Sequence, residues 1–500
     1  KEDDRIKGVY LDLSVIPSGI ATIEEIRNKL IDFKESGKFI VSYSDGYSQA
    51  AYYLASVSDE IYLNPQGGFD WKGLASQILF FKGALDKLGV EAQIFRYGEF
   101  KSAIEPFTET KMSDANRMQM EVLLQSIWDE MIIKVSDARG ISVDKLNVFA
   151  DSLTIYNAKT ALEYNMIDGI MYYDEFLEHV KDKAGVEEDT EEKDYFISLS
   201  KYNGASLPDA KRNKAEEKVA VIFAEGEIVN GMGNDGSIGG DGLAKILREA
   251  RLDEDIKAVV LRVNSPGGSG LASEIIWREV VLTVKEKPVV VSMGNLAASG
   301  GYYISAPASY IIAQPNTITG SIGVFGMLPN VEKLMNDKLG ITVDGVSTNA
   351  NFDIGSIMRP MEDHEREFIQ KQVNDFYEVF LNRVAEGRDQ LSVEDVDEIG
   401  EGRVWSGITA VEIGLVDEIG GINDAVMKAV ELADIEEYRI VEYPKEQDFM
   451  EKFISDFSAK TKHNILQKTL GEEYELFMIL ERVRNMEGIQ ARMYYEIEIK

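Results

Sequence analysis

The chain has 500 residues, enough for two or three domains each with its own core, and its 44% hydrophobic content belongs to globular rather than disordered sequences. With 87 acidic against 53 basic residues the formal net charge is -34, which repels phosphate backbones and argues against nucleic acid as a partner. There is no cysteine, so a disulfide framework, a thiol nucleophile and thiolate metal sites are excluded.

In chain order, the polar KEDDR that begins at Lys1 is not an initiator segment, so a signal peptide or membrane anchor is expected upstream. No apolar run reaches the roughly 18 residues needed to span a bilayer. GVYLDLS (8–14), ATIEEIRNKLIDFKES (21–36) and FIVSYS (39–44) read as strand, helix and strand. The charge run VEEDTEEKD (186–194) opens a connection that is predicted to hold one strand, DYFISLSKY, and to end near Lys218.

Beyond it, VAVIFAEGEI (219–228), AVVLRVNS (258–265) and PVVVSMGN (288–295) are β-branched runs without strict alternation, as strands buried on both faces require. GLAKILREARLD and ASEIIWREVVLTVKE, between them, carry helical spacing. This order predicts right-handed βαβ units and a parallel sheet. After about residue 440 the pattern turns helical and charged, and MYYEIEIK at the end reads as an edge strand.

An internal repeat organises the whole. VSYSDGYSQAAYYLASVSDEIYLNPQ from Val41 matches VSMGNLAASGGYYISAPASYIIAQPN from Val291, with Ser42/Ser292, Tyr52/Tyr302, Tyr53/Tyr303 and Pro65/Pro315 at a constant offset of 250. KLG recurs at Lys87 and Lys338, and TALEYNMIDGI from Thr160 recurs as TAVEIGLVDEI from Thr409. The boundaries read as an N-terminal repeat over 1–185, a connection over 186–217, a C-terminal repeat over 218–440 and a tail over 441–500.

Ser299 is the candidate nucleophile. It follows a buried strand and a small-residue stretch and precedes GGYYISA, a strand-to-helix transition where free N–H groups favour developing negative charge. RVNSPGGSG (262–270) places a Pro-Gly-Gly turn at the carboxyl end of another strand, material for an oxyanion hole. The three histidines, His179, His364 and His463, lie in charged helical or tail contexts, so a Ser-His-Asp triad is not indicated. Lysine is the remaining base if burial lowers its pKa, but spacing alone does not identify which lysine. The SxxK pairs Ser142/Lys145 and Ser198/Lys201 lack glycine-turn company and read as chance.

RVNSPGG, AASGGYYISA, TGSIGV from Thr319 and YGEFKSAIEPFT around Lys101, four motifs in order, together resemble signal peptide peptidase A in its long, duplicated form. The helical C-terminal tail is read from the residue pattern alone; the resemblance covers both repeats but not the tail, and implies two tandem Clp-protease/crotonase-like ββα-repeat domains with mainly parallel α/β sheets. It also implies Ser299 as nucleophile, Lys101 as general base, Ser321 as the residue that positions the lysine, and Gly267, Gly268 and Gly300 as oxyanion donors. Further implications are a homotetramer, membrane-released signal peptides as substrates, and a place at the exported face of the cytoplasmic membrane. No cofactor or metal is called for. Apolar Tyr302, Tyr303, Ile304 and Phe325 near the site read either as a substrate pocket or as plain core packing. At the repeat offset Ser299 corresponds to Gln49 and Lys101 to Asn351 or Phe352, so one composite site per chain is expected. Two other classes stay open at this point: an acyl-CoA enzyme of the crotonase type, which needs no Ser299, and a non-catalytic envelope scaffold.

Overall fold

A computed structural model describes residues 1–187, 195–203, 215–234, 236–444 and 489–493. In the first half, β1 (Gly8–Asp12), β2 (Phe39–Tyr47), β3 (Glu60–Phe69) and β5 (Gly169–Ile170) form a four-stranded sheet, parallel throughout. One face packs on α1 (Ile20–Lys34), α2 (Gln49–Ala55) and the long α3 (Asp114–Arg139), through Ile23, Tyr52, Leu63, Ile127 and Met131. Val41, Tyr43 and Tyr62 on the other face pack on Phe176 of α4 (Tyr173–Ala184).

The second half is built on the same plan with longer strands. β6 (Lys218–Glu225), β9 (Ile256–Ser265) and β11 (Val289–Ala298) sit at the centre of an eight-stranded sheet. β17 (Arg439–Tyr443) lies at one end, and β13 (Ile318–Gly320) and β15 (Val404–Ser406) at the other; β12 (Tyr310–Ala313) pairs with β11 and with β16 (Glu418–Ile419). Every pairing is parallel except β13 with β15. Ala220, Ile222, Val259 and Leu261 face α6 (Gly240–Leu252) and α7 (Gly270–Val284), while Val219, Val221, Ala258 and Val260 face α10 (Ile422–Ala433). Both faces are covered, which is why these segments read as unbroken apolar runs.

The repeat extends to individual hydrogen bonds. Tyr52 donates its hydroxyl to the Met166 carbonyl at 2.7 Å, and Tyr302 donates to the Leu415 carbonyl at 2.8 Å. The Ile61 and Ile311 N–H groups donate to Asp168 and Asp417, whose carboxylates also pair with Arg139 and Arg388.

The halves are sewn together by a third sheet. β4 (Glu91–Tyr97) of the first half runs antiparallel to β14 (Val324–Asn330) of the second, in register from Tyr97↔Val324 to Glu91↔Asn330. The sheet continues through β18 (Ile489–Arg492), β10 (Gly267–Ser269), β7 (Glu227–Val229) and β8 (Ser237–Gly239).

Two sequence expectations change. VAVIFAEGEI is two strands, β6 and β7, broken at Gly226, whose φ is +99° and where a Cβ would stand 2.1 Å from the Gly236 carbonyl oxygen. The connection shows a short helix, α5 (Leu199–Asn203), where a strand is expected; its polar SLSKYN offers no apolar face for a sheet. In the tail, Ile489–Arg492 forms a strand, β18, inside a sheet, while of MYYEIEIK only Met493 is described. The helical expectation for the tail and the rest of MYYEIEIK fall outside the described residues.

Candidate active site

β11 carries the chain through the core and ends at Ala298. Ser299 then takes φ +56° and ψ -116° before α8 (Gly300–Ser305) begins. Side chains other than glycine rarely adopt such a backbone, and holding it costs about 1–3 kcal/mol, so the surroundings must enforce it. They do: the Ser299 N–H donates to the Gly320 carbonyl at 2.8 Å, and the Tyr303 N–H closes the first helical turn on the Ser299 carbonyl at 2.8 Å. The hydroxyl is thereby lifted off the sheet at the start of a helix.

Lys101 arrives from the other half, four residues past β4. Gly98 (φ +100°) lets this segment lie against the second half, where the Phe100 N–H donates to the Glu401 carbonyl at 3.0 Å. Gly402 (φ +83°) allows the closest approach, since a Cβ there would meet the Lys101 N, Cα and Cβ at 2.7 Å. From α3, Gln119 Nε2 donates to the Phe100 carbonyl and to Ser102 Oγ, both at 3.1 Å. Buried Glu105 accepts from Ser113 and from Asn116 Nδ2, tying the following turn to the same helix.

The lysine Nζ lies 2.8 Å from Ser299 Oγ, 3.0 Å from Ser321 Oγ and 3.2 Å from the Ser321 carbonyl oxygen. Lys101 is 1% exposed and Ser299 0%. Burial drives the lysine pKa well below its ordinary value, with no carboxylate to offset it. A neutral amine fits these contacts: two N–H groups serve the two Ser321 oxygens, and the lone pair faces the Ser299 hydroxyl. Ser321, at φ +50°, is held by its N–H donating to the Arg403 carbonyl at 2.7 Å. Ser299, Lys101 and Ser321 are therefore brought together from three separate segments.

At the proposed oxyanion corner, Gly267 spends its N–H on Ser265 Oγ at 3.1 Å. Gly300, the first residue of α8, offers an N–H that the helix itself leaves unpaired. Gly268 follows Gly267 in β10. Tyr302 and Tyr303 do not line a pocket: both are fully buried, with hydroxyls on the Leu415 carbonyl and on Glu274, so their apolar character reflects core packing. Ile304 is buried in the same core, and Phe325 packs with Ile104 and Phe107.

The two described histidines make their contacts away from Ser299. His179 pairs with Glu60 at 2.6 Å, His364 with Asn351 at 2.9 Å, and His463 lies outside the described residues. Ser142 caps a helix by accepting from the Lys145 N–H, and Ser198 precedes α5, so neither SxxK pair is a site. Among the described residues no cluster of acidic or histidine side chains is fit to hold a metal, and no helix is long and apolar enough to cross a membrane.

The model of peptidase family S49 matches residues 32–187 and 282–436, one segment in each half. This chain belongs to peptidase family S49. Among S49 relatives, "Protease 4" of Haemophilus influenzae is 38% identical over 94% of this chain and 76% of its own length. "Serine protease SPPA, chloroplastic" of Arabidopsis thaliana is 32% identical over 98% of this chain and 72% of its own. A "Putative signal peptide peptidase SppA" of Enterococcus faecium is 37% identical over 39% of this chain and 57% of its own. The chain is accordingly an α/β serine peptidase of the duplicated S49 type, with one matched segment containing Lys101 and the other Ser299.

Proposed function

We propose that this S49 member is a serine endopeptidase working through a Ser299–Lys101 dyad, and that it degrades cleaved signal peptides and similar hydrophobic peptides at the cell envelope. The observation that carries the proposal is the 2.8 Å approach of a buried, uncompensated amine from one half to a strained serine hydroxyl in the other. Neutral Lys101 takes the Ser299 proton as Oγ attacks the peptide carbonyl. The resulting oxyanion is received by the Gly268 and Gly300 N–H groups. The lysine ammonium then gives its proton to the departing amine, leaving an acyl-serine. A water molecule, deprotonated by the same amine, releases the acid and restores the serine. Ser321 holds the amine in line throughout.

The signal-peptide assignment draws on the name borne by the Enterococcus faecium relative. Association with the membrane is part of the same proposal. Assembly as a homotetramer is supported by exposed apolar side chains between β14 and α9 (Asp363–Gly387): Leu339, Val343, Val346 and Phe352, a face that another copy would cover. The test is cleavage of a hydrophobic signal-peptide fragment by wild type, Ser299→Ala and Lys101→Ala, with fluorophosphonate labelling followed by peptide mapping. Both variants should be inactive and Ser299 should carry the label. Undiminished cleavage by either variant sinks the dyad.

A further inference from the structure

A lysine carries its amine at the end of a flexible stem, so it serves a hydroxyl well only when its backbone is held in line. On the second-half side one turn, residues 400–404, does the holding. The Glu401 carbonyl accepts from the Phe100 N–H at 3.0 Å, Gly402 lies against the Lys101 backbone, and the Arg403 carbonyl accepts from the Ser321 N–H at 2.7 Å. The turn is pinned in its own half by the Gly402 N–H, which donates to the Ile322 carbonyl at 2.7 Å. Glu401 stands at φ +51°, a backbone that needs outside support in any residue other than glycine.

Tyr377, fully buried on α9, supplies that support. Its hydroxyl accepts from the Glu401 N–H at 3.1 Å and donates to Asp397 Oδ1 at 2.6 Å. Its ring stacks on Tyr97, the last residue of β4, with centroids 4.1 Å apart and planes at 22°. One side chain thus touches the chain just before Lys101 and, through Glu401, the turn on which Lys101 rests. Burial and the bond to Asp397 push the phenol above its ordinary pKa, so it keeps the proton that it donates.

The duplication supplies a contrast. Tyr377 corresponds to Trp128 at an offset of 249, which also pairs Val384 with Val135; Asp397 corresponds to Asn147 at 250, which also pairs Ser392 with Ser142. The bond between the two is kept, since Trp128 Nε1 donates to Asn147 Oδ1 at 2.8 Å. An indole N–H can only donate, whereas a phenol donates and accepts at once. The Trp128 bond therefore ends at Asn147, and the turn beyond it ties to itself, Ser152 Oγ to Thr154 Oγ1 at 2.8 Å. Of the two halves, the one whose turn bears the lysine has the accepting oxygen. We propose that Tyr377, oriented by Asp397, is a positioning residue for the general base: it fixes the turn that sets Lys101 Nζ against Ser299 Oγ. The proposal rests on the dyad reading of Ser299 and Lys101.

The test is kcat and KM for the signal-peptide fragment in full-length variants, with thermal unfolding measured on each. Tyr377→Phe keeps the stacked ring and removes only the hydroxyl; kcat should fall about tenfold while KM stays within about twofold of wild type. Trp128→Phe removes the counterpart bond and should lower Tm to a similar degree while leaving kcat unchanged. Asp397→Asn keeps an acceptor for the phenol and should hold kcat within about twofold, whereas Asp397→Ala should lower it roughly threefold or more; this pair decides the matter should Tyr377→Phe fail to fold. A folded Tyr377→Phe with wild-type kcat, an equal loss of kcat in Trp128→Phe, or equal kcat in the two Asp397 variants would each overturn the positioning role. Lys101→Ala, measured alongside, separates this from failure of the dyad: an active Lys101→Ala ends both readings, while an inactive one beside a fully active Tyr377→Phe ends only this one.

Discussion

The same turn is built twice in this chain, once with the proposed nucleophile and once without, and only the first is strained. In the second half Ser299 sits at φ +56° between β11 and α8, with its hydroxyl on a buried amine. At the matching place in the first half, Gln49 begins α2 in ordinary helical geometry, capped by Ser48. The Gln49 side chain stitches a loop, accepting from the Lys72 and Gly73 N–H groups at 3.0 and 3.1 Å and donating to the Gly73 carbonyl at 3.1 Å. The base is divided the other way round: Lys101 is buried, whereas Phe352 at its counterpart is 62% exposed. At the first-half turn the backbone is relaxed and the polar group is structural, so the fold alone does not require the strain seen at Ser299.

The sharpest way to break this contrast is to truncate both side chains. Ser299→Ala should lower kcat by about 10⁴-fold or more, while Gln49→Ala should leave kcat alone and lower stability by about 1–3 kcal/mol, read by denaturant unfolding. If Gln49→Ala removes activity, the first half's turn is not merely structural.

Next in size is the seam between the halves. Gly402→Ala forces a methyl group to within 2.7 Å of the Lys101 backbone and puts alanine at φ +83°. Displacing the amine from Ser299 should cost kcat on the order of 10²-fold with far less change in KM; an unaltered kcat would mean that the lysine's position tolerates movement.

A pH profile tests the amine itself. Only the neutral form accepts the serine proton, so kcat/KM should climb with pH up to the lowered pKa of Lys101 and level off above it. A profile that stays flat down to pH 5 removes lysine from the role. Ser321→Ala should reduce kcat roughly tenfold and move the rise to lower pH, because the lost hydroxyl accepts more strongly from ammonium than from amine.

The smallest effect is on stability. The unfolded chain binds the lysine proton below its ordinary pKa and the folded chain does not, so Lys101 destabilises the fold at neutral pH, progressively more as pH falls toward the lowered value. Lys101→Met should therefore be inactive yet about 1 kcal/mol more stable at pH 7, with the gain fading in alkaline buffer. A destabilised Met variant would show that the serine contacts outweigh the desolvation cost.

Much of this was legible in the residues. Doubly covered strands such as β9 and β11 announce themselves as unbroken β-branched runs, and the 250-residue offset exposes the duplication. Ser299 stands out because a strand, small residues and glycines converge on it. Lys101 does not: no spacing rule links a lysine to a serine in the other half, and only the resemblance of its motif points there. Gln119 and Glu105 gave no signal, since polar residues on a helix or turn read by default as a solvated face, although both are buried here. Gly402 lies in a glycine-bearing turn, but nothing local shows that a lysine backbone rests on it. Tyr302 and Tyr303 mislead in the opposite sense, because aromatic residues beside a nucleophile look the same in sequence whether they line a pocket or fill a core.

The antiparallel pairing of β4 with β14 also orders events in time. At ~5–20 residues per second of synthesis, Lys101 leaves the ribosome well before Ser299, and Arg403, whose carbonyl fixes Ser321, emerges later still. A chain synthesised only through its first repeat thus holds an amine with nothing to deprotonate, and the proposed dyad can assemble only once Arg403 has emerged.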